Sequence, residues 1–186
     1  MIISHCRSGI VDSGGDIDVI HNSSITNASK YAIDLDSMDG QSLVANNSIQ
    51  GVQAGAGSSA GVNINGSHAA QSVIVEGNTI KDTQAGVRIE VGSGYPGLNS
   101  ISNNTLRDNT IGVYSKTSSG STNMDSSYIA RNRIYGGSKG IYLKSSHDGN
   151  VVNNLVTQTS STGIFCDECQ SMIAYNTVAS AGGHGF

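Results

Sequence analysis

Val75-Glu76-Gly77-Asn78-Thr79-Ile80, Ile101-Ser102-Asn103-Asn104-Thr105-Leu106 and Ile129-Ala130-Arg131-Asn132-Arg133-Ile134 repeat one phrase: a β-branched residue, an Asn three places on, and an aliphatic residue two places after that. The same phrase sets Val44 before Asn47 and Ile49, Val151 before Asn154 and Val156, and Ile173 before Asn176 and Val178. Successive Asn residues stand 22 to 31 positions apart. His21-Asn22-Ser23-Ser24-Ile25, with Val19 before it, reads as a looser first copy. A period in this range marks a stacked array of similar units.

A second mark recurs between the phrases, a small residue followed by a β-branched one: Gly9-Ile10, Ala32-Ile33, Gly61-Val62, Gly86-Val87, Gly112-Val113, Gly140-Ile141 and Gly163-Ile164. Each unit therefore holds three short β-prone runs separated by Asn- or Gly-bearing bends, with no helical pattern between them. Leucine-rich, ankyrin and tetratricopeptide arrays need helical or Leu-rich segments that this chain lacks. The pattern predicts an all-β chain: a single-stranded parallel β-helix of about seven coils and three strands per coil, with residues 1–186 as one domain. The repeated Asn is expected to take the left-handed conformation of a sharp bend and to bond its amide to the next Asn in the stack.

Composition agrees with this reading. Charged residues are 13% of the 186, against roughly 25% in an average soluble domain. With 24 Gly and a Ser-, Asn- and Thr-rich remainder, propensity disfavours helix in any window. Regularly placed Ile, Val and Ala within a 37% hydrophobic content argue against disorder. A net charge of −4 with only 10 Lys and Arg removes the electrostatic term on which nucleic-acid binding leans, so no nucleic-acid partner is expected. No apolar run approaches ~18 residues, so no membrane partner is expected. Met1-Ile2-Ile3-Ser4-His5-Cys6-Arg7 lacks the order of a signal peptide; an extracellular or periplasmic location would require a signal on a parent protein. Cys166 and Cys169 are the only close pair of three cysteines, which does not suggest a disulfide framework. Cys166-Asp167-Glu168-Cys169 has the spacing of a metal knuckle, but Cys166 falls on an inward position and there is no second pair to complete a site. The five His are scattered through different units, and neither metal nor cofactor is expected.

With these units stacked, the chain resembles the right-handed parallel β-helix proteins, the pectin-lyase-like superfamily and its short carbohydrate-associated repeats, along essentially its whole length. The resemblance implies a right-handed solenoid and a polysaccharide or surface-glycan partner. Asp36-Ser37-Met38-Asp39-Gly40 is similar to the Asp-x-x-Asp-Gly core of uronan epimerases, with Ser37 in place of their Pro. Gly183-His184-Gly185 is similar to the Gly-His-Gly of polygalacturonases, but their paired-Asp and Arg-Ile-Lys elements have no counterpart. Residues 1–10 enter as the tail of a coil and Gly185-Phe186 falls where another Gly-Ile would begin. The domain is thus expected to lack end caps of its own and to meet further coils of a parent protein, or to associate with itself end to end or laterally.

Strand alternation selects one outward face. If Ile33 and Leu35 point in, Asp34 and Asp36 point out, followed coil by coil by Asn63 and Asn65, Arg88 and Glu90, Tyr114 and Lys116, Tyr142 and Lys144, and Phe165 and Asp167. Rings beside charged and amide groups on a parallel sheet suit sugars, since rings cover the apolar sugar face while polar groups take the hydroxyls. Asn63, Asn65, Tyr114, Tyr142, Lys144, Phe165 and Asp167 are the expected substrate-binding residues, joined by Tyr95 from a long insertion beside the stripe. Asp34, Asp36, Arg88, Glu90 and Lys116 are the expected catalytic set. Asp36 and Glu90 lie two coils apart, about 9.6 Å between backbones, near the carboxylate spacing of inverting glycosidases. Arg88 and Lys116 would neutralise a uronate in a lyase or epimerase. Two readings stay open: a polysaccharide lyase, hydrolase or uronan epimerase, and a non-catalytic recognition or structural module of a fibre, adhesin or phage spike.

Overall fold

The computed structural model describes residues 1–14, 17–36, 40–52, 59–66, 72–92, 98–117 and 127–186. The chain runs Ile2–Ser4, Ser8–Ser13 and Ile17–His21, then returns at Ser24–Thr26 to pair in parallel with Ile2–Ser4. That cycle repeats to the last strand, Thr177–Ala179, and builds three parallel sheets of eight, seven and seven strands. The fold is a parallel β-helix with three strands per coil, and the described residues include no helix.

Inward residues form columns, interrupted in the second sheet by the buried Ser115 between Ile89 and Leu143. Ile25, Ile49, Ile80, Leu106, Ile134 and Val156 fill the core from the first sheet, and Val44, Val75, Ile101, Ile129 and Val151 from the third. The second sheet contributes Ile33, Val62, Val87, Val113, Ile141 and Ile164, with Leu35, Ile64, Ile89 and Leu143 in the next inward row. All are buried in one continuous cluster. The small residue ahead of each β-branched one is a steric requirement: a Cβ on Gly86 would stand 2.6 Å from the carbonyl oxygen of Gly112 in the next coil.

The Asn column sits at the corner between third and first sheets. Asn78 Nδ2 donates to Asn104 Oδ1, Asn104 to Asn132 and Asn132 to Asn154, each at 3.0 Å. Two expectations about this corner are corrected. The left-handed residue is the one before each ladder Asn: Asn46, Gly77, Asn103, Arg131, Asn153 and Tyr175 have φ between 55° and 63°. The bend is made one residue early, so that the ladder amide can turn into the core. In the first copy the ladder position is Ser23, not Asn22, for its backbone N–H donates to Asn47 Oδ1 at 2.9 Å. Ile20, paired with Val44, is accordingly the inward mark, while Val19 is exposed. A one-residue shift exchanges inside for outside on a strand.

Cys166 continues the inward row of Leu143, but it is exposed and joined to Cys169 in a disulfide. A buried thiol is thus replaced by a covalent staple across the bend after Thr162–Asp167. Beyond the last strand, the carbonyls of His184 and Gly185 accept from the N–H groups of Gly163 and Ile164, each at 3.0 Å, so Gly185 runs beside the second sheet as the repeat foretold.

Candidate functional site

The second sheet comprises Ser8–Ser13, Tyr31–Asp36, Ala60–Gly66, Ala85–Val91, Ile111–Thr117, Lys139–Lys144 and Thr162–Asp167. Its register aligns two outward rows. One holds Asp34, Asn63, Arg88, Tyr114, Tyr142 and Phe165; the other holds Asp36, Asn65, Glu90, Lys116, Lys144 and Asp167. All the residues singled out on this face therefore lie on one surface. Tyr95 and the Asp36–Gly40 motif's residues 37–39 lie outside the described residues.

Three rings form a file along the solenoid axis. Tyr114 and Tyr142 have centroids 5.3 Å apart and Tyr142 and Phe165 5.2 Å, tilted by 58° and 46°. Each ring belongs to a successive coil, so strand spacing alone sets their separation. Cations flank the file. Lys139 Nζ stands 4.4 Å from the Tyr142 centroid and 4.9 Å from that of Phe165, and Arg88 Cζ stands 5.6 Å from Tyr114. Each such contact is worth roughly 0.5–1 kcal/mol at exposed sites. Lys139 was not among the expected residues because it precedes the Gly-Ile mark by one, where strict alternation assigns it the side of Ile141, yet its ammonium reaches the outward rings at the start of the strand.

The carboxylates are all engaged. Asn63 Nδ2 donates to Asp34 Oδ1 at 2.8 Å, and Asn65 Nδ2 to Asp36 Oδ1 at 3.0 Å. Arg88 Nη2 meets Glu90 Oε1 at 2.6 Å. Tyr142 donates its hydroxyl to Asp167 Oδ2 at 3.2 Å, where Lys144 Nζ also stands at 3.9 Å. Burial pushes the Asp34 carboxyl above the usual carboxylate range, against the opposing pull of Asn63 and Lys30. Burial likewise raises the Tyr114 and Tyr142 hydroxyls, which stay protonated as donors.

Between Arg88 and Tyr142 lies a shallow hollow of about 390 Å³, walled by Gln84, Arg88, Glu90, Tyr114, Lys116 and Tyr142. Rings, cations and one carboxylate thus converge on a space of sugar size. The Arg88 Nε is buried there without a hydrogen-bond partner.

A family model described as Periplasmic copper-binding protein (NosD) matches the chain twice, over residues 2–124 and 66–186. No curated protein matches it. A copper ion needs converging imidazole, thiolate or thioether donors. Among the described residues no three His, Cys, Asp or Glu side chains come together, and two of the three thiols are spent in the disulfide. The described His, Cys, Asp and Glu side chains therefore form no copper centre of three such ligands.

Proposed function

The chain belongs to the NosD family, a family of right-handed parallel β-helix proteins, and on that premise we propose that its second sheet is a glycan-binding face. The file Tyr114–Tyr142–Phe165 carries this reading. A sugar chain laid along the axis would meet a ring at each coil, with Lys116, Lys139 and Lys144 beside it for acidic or hydroxyl groups. The periplasm is the location that the family description suggests, and the copper in that description plays no part in this face.

Binding without turnover is the better fit, because Asp36 and Glu90 each hold a partner in place of a water or a leaving group. One observation favours the enzymatic reading: Asp34, whose carboxyl burial pushes upward, as a general acid requires. Retention on a glycan array tests the face. The double variant Tyr114→Ala, Tyr142→Ala is expected to lose retention, and unchanged retention would overturn the placement. Incubation with uronate and neutral polysaccharides separates the two readings, since new reducing ends or unsaturated uronate appear only for a catalyst.

A further inference from the structure

A second hollow, of about 410 Å³, opens on a different side of the solenoid, at the corner where the third sheet turns into the first. Its floor is the buried ladder around Asn104 and Asn132; its walls are Asn103, Thr105, Arg131, Arg133 and Asn153. None of its described wall or floor residues is a carboxylate. Among the described residues the ion pairs are Arg88–Glu90 and Lys144–Asp167, so neither Arg131 nor Arg133 has a carboxylate partner. Two arginines of one coil therefore line a recess together with amide- and hydroxyl-bearing residues, in a chain of net charge −4.

The corner backbone fixes where the Arg131 side chain leaves the coil. It occupies the left-handed corner position, with φ of 55°. The column above and below it holds Asn22, Asn46, Gly77, Asn103 and Asn153, the residue types that tolerate this conformation, with Tyr175 at its end. An Arg there is strained relative to Asn, as Tyr175 is in the same column. The occupant that suits two exposed arginines lining one recess is a compact oxyanion, because the planar guanidinium fork bonds its oxygens in pairs.

We infer that this corner hollow binds a tetrahedral oxyanion, a phosphate or a sulfate ester, held between Arg131 and Arg133 with Asn103 and Asn153 at its rim. This inference is independent of the glycan reading of the second sheet. It is tested by titrating the full chain with inorganic phosphate and sulfate at constant ionic strength, with chloride as reference, following backbone amide and arginine Nε resonances. Saturable shifts at Arg131, Asn132 and Arg133 are expected for both anions and not for chloride. Arg131→Asn and Arg133→Gln should each weaken binding at least tenfold. Lys81→Gln, which removes one charge from the same sheet outside the hollow, should leave it unchanged. Arg131→Asn should also keep or raise the melting temperature, so a loss of binding cannot be laid to misfolding. Non-saturating shifts, equal shifts with chloride, or full binding by Arg131→Asn would each overturn the inference. A sulfated oligosaccharide distinguishes the source: affinity tenfold above that of inorganic sulfate assigns the site to a glycan substituent, equal affinity to the free anion, and either supports an oxyanion site.

Discussion

The Oδ1 of Asn132 accepts twice from Asn104, from its side-chain Nδ2 at 3.0 Å and from its backbone N–H at 3.1 Å, while Asn132 Nδ2 donates to the Ile101 carbonyl at 2.9 Å. One buried amide thus satisfies groups in two coils. Asn132→Ala takes the partner from the Asn104 backbone N–H and the amide donor from the Ile101 carbonyl, while Asn104 Nδ2 keeps the Val75 carbonyl; each group left orphaned costs about 1–3 kcal/mol. Urea denaturation should show a loss of at least about 2 kcal/mol, whereas Asn153→Gly at the exposed, left-handed corner should change stability by only a few tenths.

Crowding behind the second sheet gives a second expectation. A Cβ on Gly112 would stand 2.5 Å from the Gly140 carbonyl oxygen and 2.6 Å from Ile134 Cγ2, so backbone and core would both have to shift. Gly112→Ala should cost about 1–3 kcal/mol, as overpacking does. A melting temperature equal to that of the parent would show that the coils can slide apart at no cost.

At the other end of the same sheet, Asp12 takes the inward row of Leu35. Its hydrogen bond to Asp18, then burial, then the Asp18 charge raise its carboxyl from 3.8 to about 6. A carboxyl with a raised native pKa holds its proton more tightly when folded, so its contribution is full below about 3.8 and is lost as pH rises through about 6. Amide exchange in Ser8–Ser13 and Ile17–His21 should therefore quicken across that window beyond its intrinsic pH dependence, and Asp12→Asn should flatten the excess. An unchanged profile in the variant would place the titration elsewhere.

The Cys166–Cys169 disulfide closes a very short loop, so chain entropy limits its contribution to about 2 kcal/mol. Cys166→Ser with Cys169→Ser should lower stability by no more than that, and the reduced parent should melt with the double variant. A much larger loss would mean that the staple holds more than the bend it spans.

Much of this was legible along the chain. Alternation placed Asp34, Arg88, Tyr114, Tyr142 and Phe165 in one outward row, because the two-residue period of a strand is a local property and the Gly-Ile mark fixes its phase. The corner was read one residue off, since Asn serves equally as a left-handed residue and as a ladder amide, and both stand side by side in Asn46-Asn47 and Asn103-Asn104. Lys139 went unseen because its rings come from its own coil and the next. Cys166 was assigned inward by phase, whereas bonding to Cys169 depends on how the chain bends after the strand.

What the residues determined unaided is the coil: where each strand starts and which side chains enter the core follow from a local two-residue period, and the recurrence of Asn and Gly marks where one coil meets the next. Only the stacked structure decided which outward groups meet. The ring file Tyr114–Tyr142–Phe165, the Asn63–Asp34 bond and the reach of Lys139 to Phe165 depend on register between strands more than twenty residues apart and on the bends that set it. Insertions of unequal length separate those strands, so sequence distance carries no measure of their neighbourhood; backbone hydrogen bonds across the coils supply it.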